Sequence, residues 1–146
     1  MTVWSLCLVR SAVCLAVVVY AGFDDVDEFW SKIGRSFSGD ITIDGFRVKF
    51  VECECASMVC NTNCIARKAY HDGVEYFFRS NDDTEFKTTD WITTYISALD
   101  RFNPPRLGVV GPTCKQGNNK IMTHDFTHRT HLEIFDMNYY PPILKK

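Results

Sequence analysis

Strand-like apolar runs alternate with helix-length amphipathic segments along most of this chain, and that alternation limits the fold more than any single motif. "VCLAVVVYAG" at 13–22 is a continuous apolar run. "VDEFWSKIGRSF" then places Val26, Phe29, Trp30 and Ile33 at helical spacing before Gly39 and Asp40 interrupt it. "FRVKFVEC" alternates as a strand does, and "MVCNTNCIARKAYHDG" reads as a helix stopped by Gly73. "VEYFFRS" follows as a strand, "DWITTYISALDRF" as a helix, and "RLGVVGP" and "KIMTHDF" as two further strands. Strands separated by helices of these lengths predict an α/β domain whose mostly parallel sheet is covered on both faces.

At 146 residues the chain has the size of one domain. With 46% hydrophobic residues, 23% charged residues and a net charge of −2, it is neither a disordered segment nor a coat for a polyanion, so nucleic acid is not an expected partner.

The N-terminus reads in two ways. "SAVCLAVVVYAG" has the length of a signal-peptide core with small residues near its end, and is too short and mixed for a membrane span. It is equally a buried first strand, the reading that the following alternation favours. Membrane association is expected only if this segment is a signal or anchor. Residues 1–12 are accordingly read as an extension, 13–142 as the domain and 143–146 as a tail, with Pro141 and Pro142 closing the ordered part.

Seven cysteines are present, four of them in "CECASMVCNTNC". Their spacing, C-x-C-x4-C-x3-C, lacks the paired knuckles of common zinc modules. Cys53 and Cys55 fall on one face of a strand, and Cys60 and Cys64 on one face of a helix, as small packing residues would. A disulfide is compatible with this spacing, but its pairing cannot be read from it.

Two constellations carry chemistry. The strand "VEYFFRS" runs into Asn81, Asp82, Asp83 and Thr84. In parallel α/β sheets the ligand crevice lies outside the carboxyl ends of the strands, where two adjacent carboxylates can share a divalent cation completed by a pyrophosphate. A solvated turn or helix cap uses the same residue types. The second constellation is "THDFTHRTHLEIF", with His124, Asp125, His128, Arg129 and His131: three of the four histidines lie within eight residues. If a helix begins near Thr127, His128 and His131 share one face at i and i+3. Arg129 offers the two parallel donors that suit a phosphate.

The ordered set "NDDTE", "GVVGP" and "THDFTHRTHLEIF" resembles glycosyltransferase-like proteins of the A-type, nucleotide-diphospho-sugar transferase fold, from about Tyr70 to Pro142 and more loosely back to Val13. The resemblance implies a three-layer α/β/α sandwich around a mostly parallel, Rossmann-like sheet. It implies that Asp82 and Asp83 hold Mn²⁺ or Mg²⁺, and through it the diphosphate of a UDP- or GDP-sugar. Asn81, His128 and Arg129 would contact the donor, Asp24 or Asp25 its base or ribose, and His124 and Asp125 are the catalytic candidates. The acceptor would be a glycan or protein hydroxyl and the compartment the secretory pathway, although no N-x-S/T sequon supports lumenal exposure and cytoplasm stays open. Such enzymes continue into an acceptor-binding portion, whereas this chain stops at "NYYPPILKK". The expectation is a metal-dependent glycosyltransferase or a fragment of one, active only if completed; the alternative is a derived nucleotide- or sugar-binding scaffold without transfer.

Overall fold

Ser57 starts the longest helix and Gly73 ends it, for reasons visible in the backbone. The structure, a computed structural model, describes residues 4–10, 16–24, 28–37, 40–43, 46–55, 57–81, 84–113, 120, 122–141 and 143. In α2 (Met58–His71) the Ser57 side chain accepts from the Cys60 amide at 3.2 Å. At the other end Gly73, at φ +83°, takes the left-handed conformation that a side chain would resist. Its amide donates to Tyr70 O and that of Val74 to Ala69 O, at 3.0 and 3.1 Å, closing a Schellman motif whose apolar contact is the buried Val74–Ala69 pair.

The remaining elements are β1 (Trp4–Arg10), β2 (Ala16–Asp24), α1 (Glu28–Ser36), β3 (Asp40–Ile43), β4 (Phe46–Cys53), β5 (Tyr76–Ser80), α3 (Trp91–Asp100), β6 (Val109–Val110), β7 (Asp125–His128) and α4 (Thr130–Ile134). The strands form a seven-stranded sheet in the order β3-β4-β2-β1-β5-β7-β6.

This sheet overturns the expected Rossmann-like sandwich. Among the described residues β2 and β4 are the one parallel pair, and every other neighbouring pair is antiparallel. A mixed three-stranded group, β3-β4-β2, and an antiparallel one, β5-β7-β6, are joined through β1, which runs antiparallel to both neighbours. The physical reason is that an apolar run reports burial on two faces and says nothing of the direction in which the strand runs.

Val19 and Phe78 both pair with Cys7 of β1 and therefore share a face. On that side α3 covers Tyr76, Phe78 and Phe126 with Leu99, and α1 lies over Phe23 so closely that a Cβ on Gly34 would meet its ring at 2.3 Å. On the opposite side α2 buries Ile65, Ala66 and Ala69 against Val18, Tyr20 and Phe77, joined by Leu132 of α4 and by Tyr139. Covered on both sides, all five residues of β5 are buried.

The cysteine cluster is covalently paired: Cys53 with Cys64 and Cys55 with Cys60, at Cα separations of 6.1 and 5.6 Å. These disulfides staple the end of β4 and the residues just after it to the first half of α2. With their sulfurs bonded to each other, these four residues offer no thiolate for the zinc reading.

Candidate functional site

Because β1 opposes both β2 and β5, those two strands point the same way, and β4 points with them. Their carboxyl ends lie on one edge of the sheet: Asp24 is level with Cys53, Gly22 with Trp4, and Ser5 with Ser80. Strand β7 runs the other way and starts there, with Asp125 opposite Arg79. This edge therefore gathers the end of β2, the turn after β5 and the segment leading into β7.

Past the end of β5, Asn81 and Thr84 are bonded to each other. The Asn81 amide donates to Thr84 Oγ1 at 3.2 Å, and the Thr84 amide donates back to Asn81 O at 3.3 Å. Thr84 Oγ1 lies 2.8 Å from His124 Nε2, and Thr123 Oγ1 lies 3.1 Å from His124 Nδ1. Thr84 Oγ1 can accept from the Asn81 amide and still either donate to or accept from Nε2, so both ring nitrogens of His124 face a threonine hydroxyl able to serve either tautomer. The His124 ring also stacks on Phe78 at 6.3 Å. Asn81 Oδ1, by contrast, is buried and has no hydrogen-bond partner among the described residues. An orphaned amide oxygen is costly in an apolar setting; it is a hard ligand for a divalent cation and an acceptor for a ligand hydroxyl.

Asp125 is held differently. Arg79 Nε donates to its Oδ1 at 2.7 Å, the two side chains being only 9% and 15% exposed. Arg79 also donates to the carbonyl of Thr123 and lies over the Tyr140 ring at 5.8 Å. Burial pushes the Asp125 carboxyl above its ordinary range, and the attraction of Arg79 offsets only part of this. Burial likewise raises the phenol of Tyr139 beside it.

His128 and Arg129 lie at the far end of β7, away from the Asn81 turn by the length of that four-residue strand, about 10 Å. His128 Nδ1 accepts from the Thr130 amide at 3.3 Å, its Nε2 is 3.5 Å from Glu75 Oε1, and its ring meets Tyr76 edge-on at 5.1 Å. Burial holds its pKa below the usual histidine value. The Arg129 guanidinium lies 4.1 Å from the Tyr70 ring and bonds Glu133 at 3.3 Å. His131 sits in α4, its Nε2 2.8 Å from Tyr139 O, so His128 and His131 do not line one helix.

The edge thus brings together Asn81, Thr84, His124 and Asp125, with Asp24 ending β2 beyond β1, and leaves out His128 and Arg129. Asp25, Asp82 and Asp83 lie outside the described residues. Among the described residues no three His, Cys, Asp or Glu side chains are grouped to hold a metal ion. Sequence reading missed Arg79 as the partner of Asp125 and Thr84 as the partner of His124. The first had a signal, an arginine inside an otherwise apolar strand; the second had none. No helix among the described residues is long and apolar enough to cross a membrane. No protein-family model, curated protein or solved structure matches the chain.

Proposed function

We propose that the chain binds the diphosphate of a nucleotide-sugar at the edge where β2, β4 and β5 end, as the donor site of a glycosyl-transfer reaction. The observation that carries this reading is Asn81 Oδ1, buried and without a hydrogen-bond partner among the described residues, on a residue whose amide is bonded to Thr84 and through it linked to His124. That oxygen, followed in sequence by two carboxylates, is the hard donor set that Mn²⁺ or Mg²⁺ takes beside a pyrophosphate. A divalent ion bound there would supply charge neutralisation to the departing diphosphate. The chain's own contribution is at the flanking residues: Thr84 bonds both Asn81 and His124, which ties Asn81 to the segment leading into β7. Restraint before binding lowers the cost of ordering the site.

A binding module without transfer is the second reading, and one observation favours it. Asp125, the acidic catalytic candidate, is committed to Arg79 inside the fold, which leaves it poorly placed to take a proton from an acceptor hydroxyl.

Calorimetric titration of UDP and GDP, with and without Mn²⁺, tests both. Binding that needs the ion, and that disappears in Asp82→Ala and Asp83→Ala while the thermal transition is kept, is the expected result. A folded protein that binds neither nucleotide under any metal condition overturns the donor-site reading. Sugar release from an activated donor would remove the second reading.

A further inference from the structure

The two disulfides at the β4–α2 junction are not equivalent. Cys53, 1% exposed, is bonded to the half-buried Cys64, so both sulfurs of that bridge sit against the packed junction of β4 and α2. Cys55 is also buried, at 9%, but its partner Cys60 is exposed. Cys60 is the third residue of α2, where the helix amides concentrate positive potential, and no acidic side chain occupies that first turn.

We propose that Cys55–Cys60 is a site of thiol–disulfide exchange, open to small thiols and dithiols, while Cys53–Cys64 is a structural bridge. An incoming thiolate attacks the exposed Cys60 Sγ. A mixed disulfide forms, the Cys55–Cys60 bond breaks, and Cys55 leaves as a thiolate that takes up a proton. A second thiol on the reductant then attacks its own sulfur in the mixed disulfide, closing an oxidised ring and releasing Cys60 as a thiolate. The reductant loses two electrons and the protein gains them. Exchange requires access to an attacked sulfur, which the exposed Cys60 supplies in the first step, and the helix N-terminus favours Cys60 as the thiolate released in the second.

The geometry also explains why such exchange leaves the fold intact. Cys53–Cys64 continues to fasten α2 to β4 after the outer bridge has opened, and the Schellman turn and the Ile65, Ala66 and Ala69 face remain packed. The reduced form is thus a native protein with a loosened first turn of α2, beside Gly22 at the sheet edge.

The test is reduction of the oxidised full chain in graded dithiothreitol, trapped by alkylation and mapped by peptide mass spectrometry. The expected result is alkylation of Cys55 and Cys60 at a midpoint at least about tenfold lower in reductant than that of Cys53 and Cys64, with unchanged far-ultraviolet dichroism. Joint opening of the two bridges, or earlier opening of Cys53–Cys64, overturns the proposal. The variant Cys55→Ser/Cys60→Ser provides the second arm. It is expected to fold and keep the Cys53–Cys64 bridge, and an unfolded product would show that the outer bridge is structural.

Discussion

Tyr20 Oη donates to Asp72 Oδ2 over 2.8 Å, joining the central part of β2 to the residue that caps α2, although 52 positions separate them in sequence. Lys49 of β4 reaches the same oxygen at 2.8 Å, and Lys68 bonds the other carboxylate oxygen. One carboxylate thus ties two strands to one helix end. Burial pushes Asp72 up, but the hydrogen bonds from Lys49, Lys68 and Tyr20 outweigh it and leave its pKa well below the ordinary aspartate value. Because the folded pKa is depressed, the stabilisation is fully present above the unfolded pKa, about 4, and is lost as pH falls below it. Urea unfolding of Asp72→Asn should show lower stability at neutral pH and a flatter acid limb than the parent. Parallel acid limbs would mean that the tie contributes nothing.

Arg79 and Asp125 should behave as a unit. Removing Arg79 alone strands a buried carboxylate, so Arg79→Met is expected to cost about 3–5 kcal/mol, while Arg79→Met with Asp125→Leu recovers most of that loss. The stranded acid has a further-raised pKa, whose contribution to stability is present at low pH and lost as pH rises. Arg79→Met should therefore gain stability as pH falls below neutral. Equal losses for the single and double variants would refute the coupling.

Gly22 leaves room for α2 to pack directly on β2. A Cβ there would lie 2.2 Å from Ile65 Cδ1 and 2.3 Å from Asn61 Oδ1. Gly22→Ala should destabilise by about 1–3 kcal/mol, the usual range for overpacking, measured by chemical denaturation. Pairing it with Ile65→Val should return part of the loss, and a loss unchanged by that second substitution would place the strain elsewhere.

Leu99 is fully buried where α3 meets Tyr76, Phe78 and Phe126. Leu99→Ala should cost about 2–5 kcal/mol. Since this cluster lies across the sheet from α2, its effect should add to that of Gly22→Ala within about 0.5 kcal/mol.

Thr84→Val removes the hydroxyl that links Asn81 to His124 while keeping the shape of the side chain. The two part-buried hydrogen bonds it removes, one of them to a ring that stacks on Phe78, should together cost about 1–3 kcal/mol. If the proposed donor site is right, the substitution weakens metal-dependent nucleotide binding. Unaltered affinity would show that the site does not depend on this link.

The sequence made some of this legible and hid the rest for identifiable reasons. The alternation of "FRVKFVEC", the apolar run of "VEYFFRS" and the Gly73 stop of α2 announced their elements, because strand patterning and helix termination are local properties, while the Ser57 cap went unread. The place of "WSLCLVR" was invisible: its antiparallel pairing with "AVVVYAG" joins neighbours in sequence, but that with "YFFRS" depends on a partner far along the chain. The same holds for the candidate site. Its acidic turn could be placed after a strand, but not the choice of His124 as partner of Thr84, nor the diversion of Asp125 to Arg79. "THDFTHRTHLEIF" misled because a strand and a short helix meet within it, so helical spacing joined His128 to His131 across a boundary the spacing could not detect.

The central position of β1 has a consequence for how the molecule is made. On a ribosome Ser5 emerges well before Ser80, its partner in the finished sheet. The β3-β4-β2 group can assemble in the meantime, with β1 pairing only along one side. Its other edge stays open, a row of unpaired backbone donors and acceptors able to recruit any passing strand. Production of this protein is therefore most exposed to misassembly in the interval before β5 arrives, and a slower passage through that interval should favour aggregation over yield.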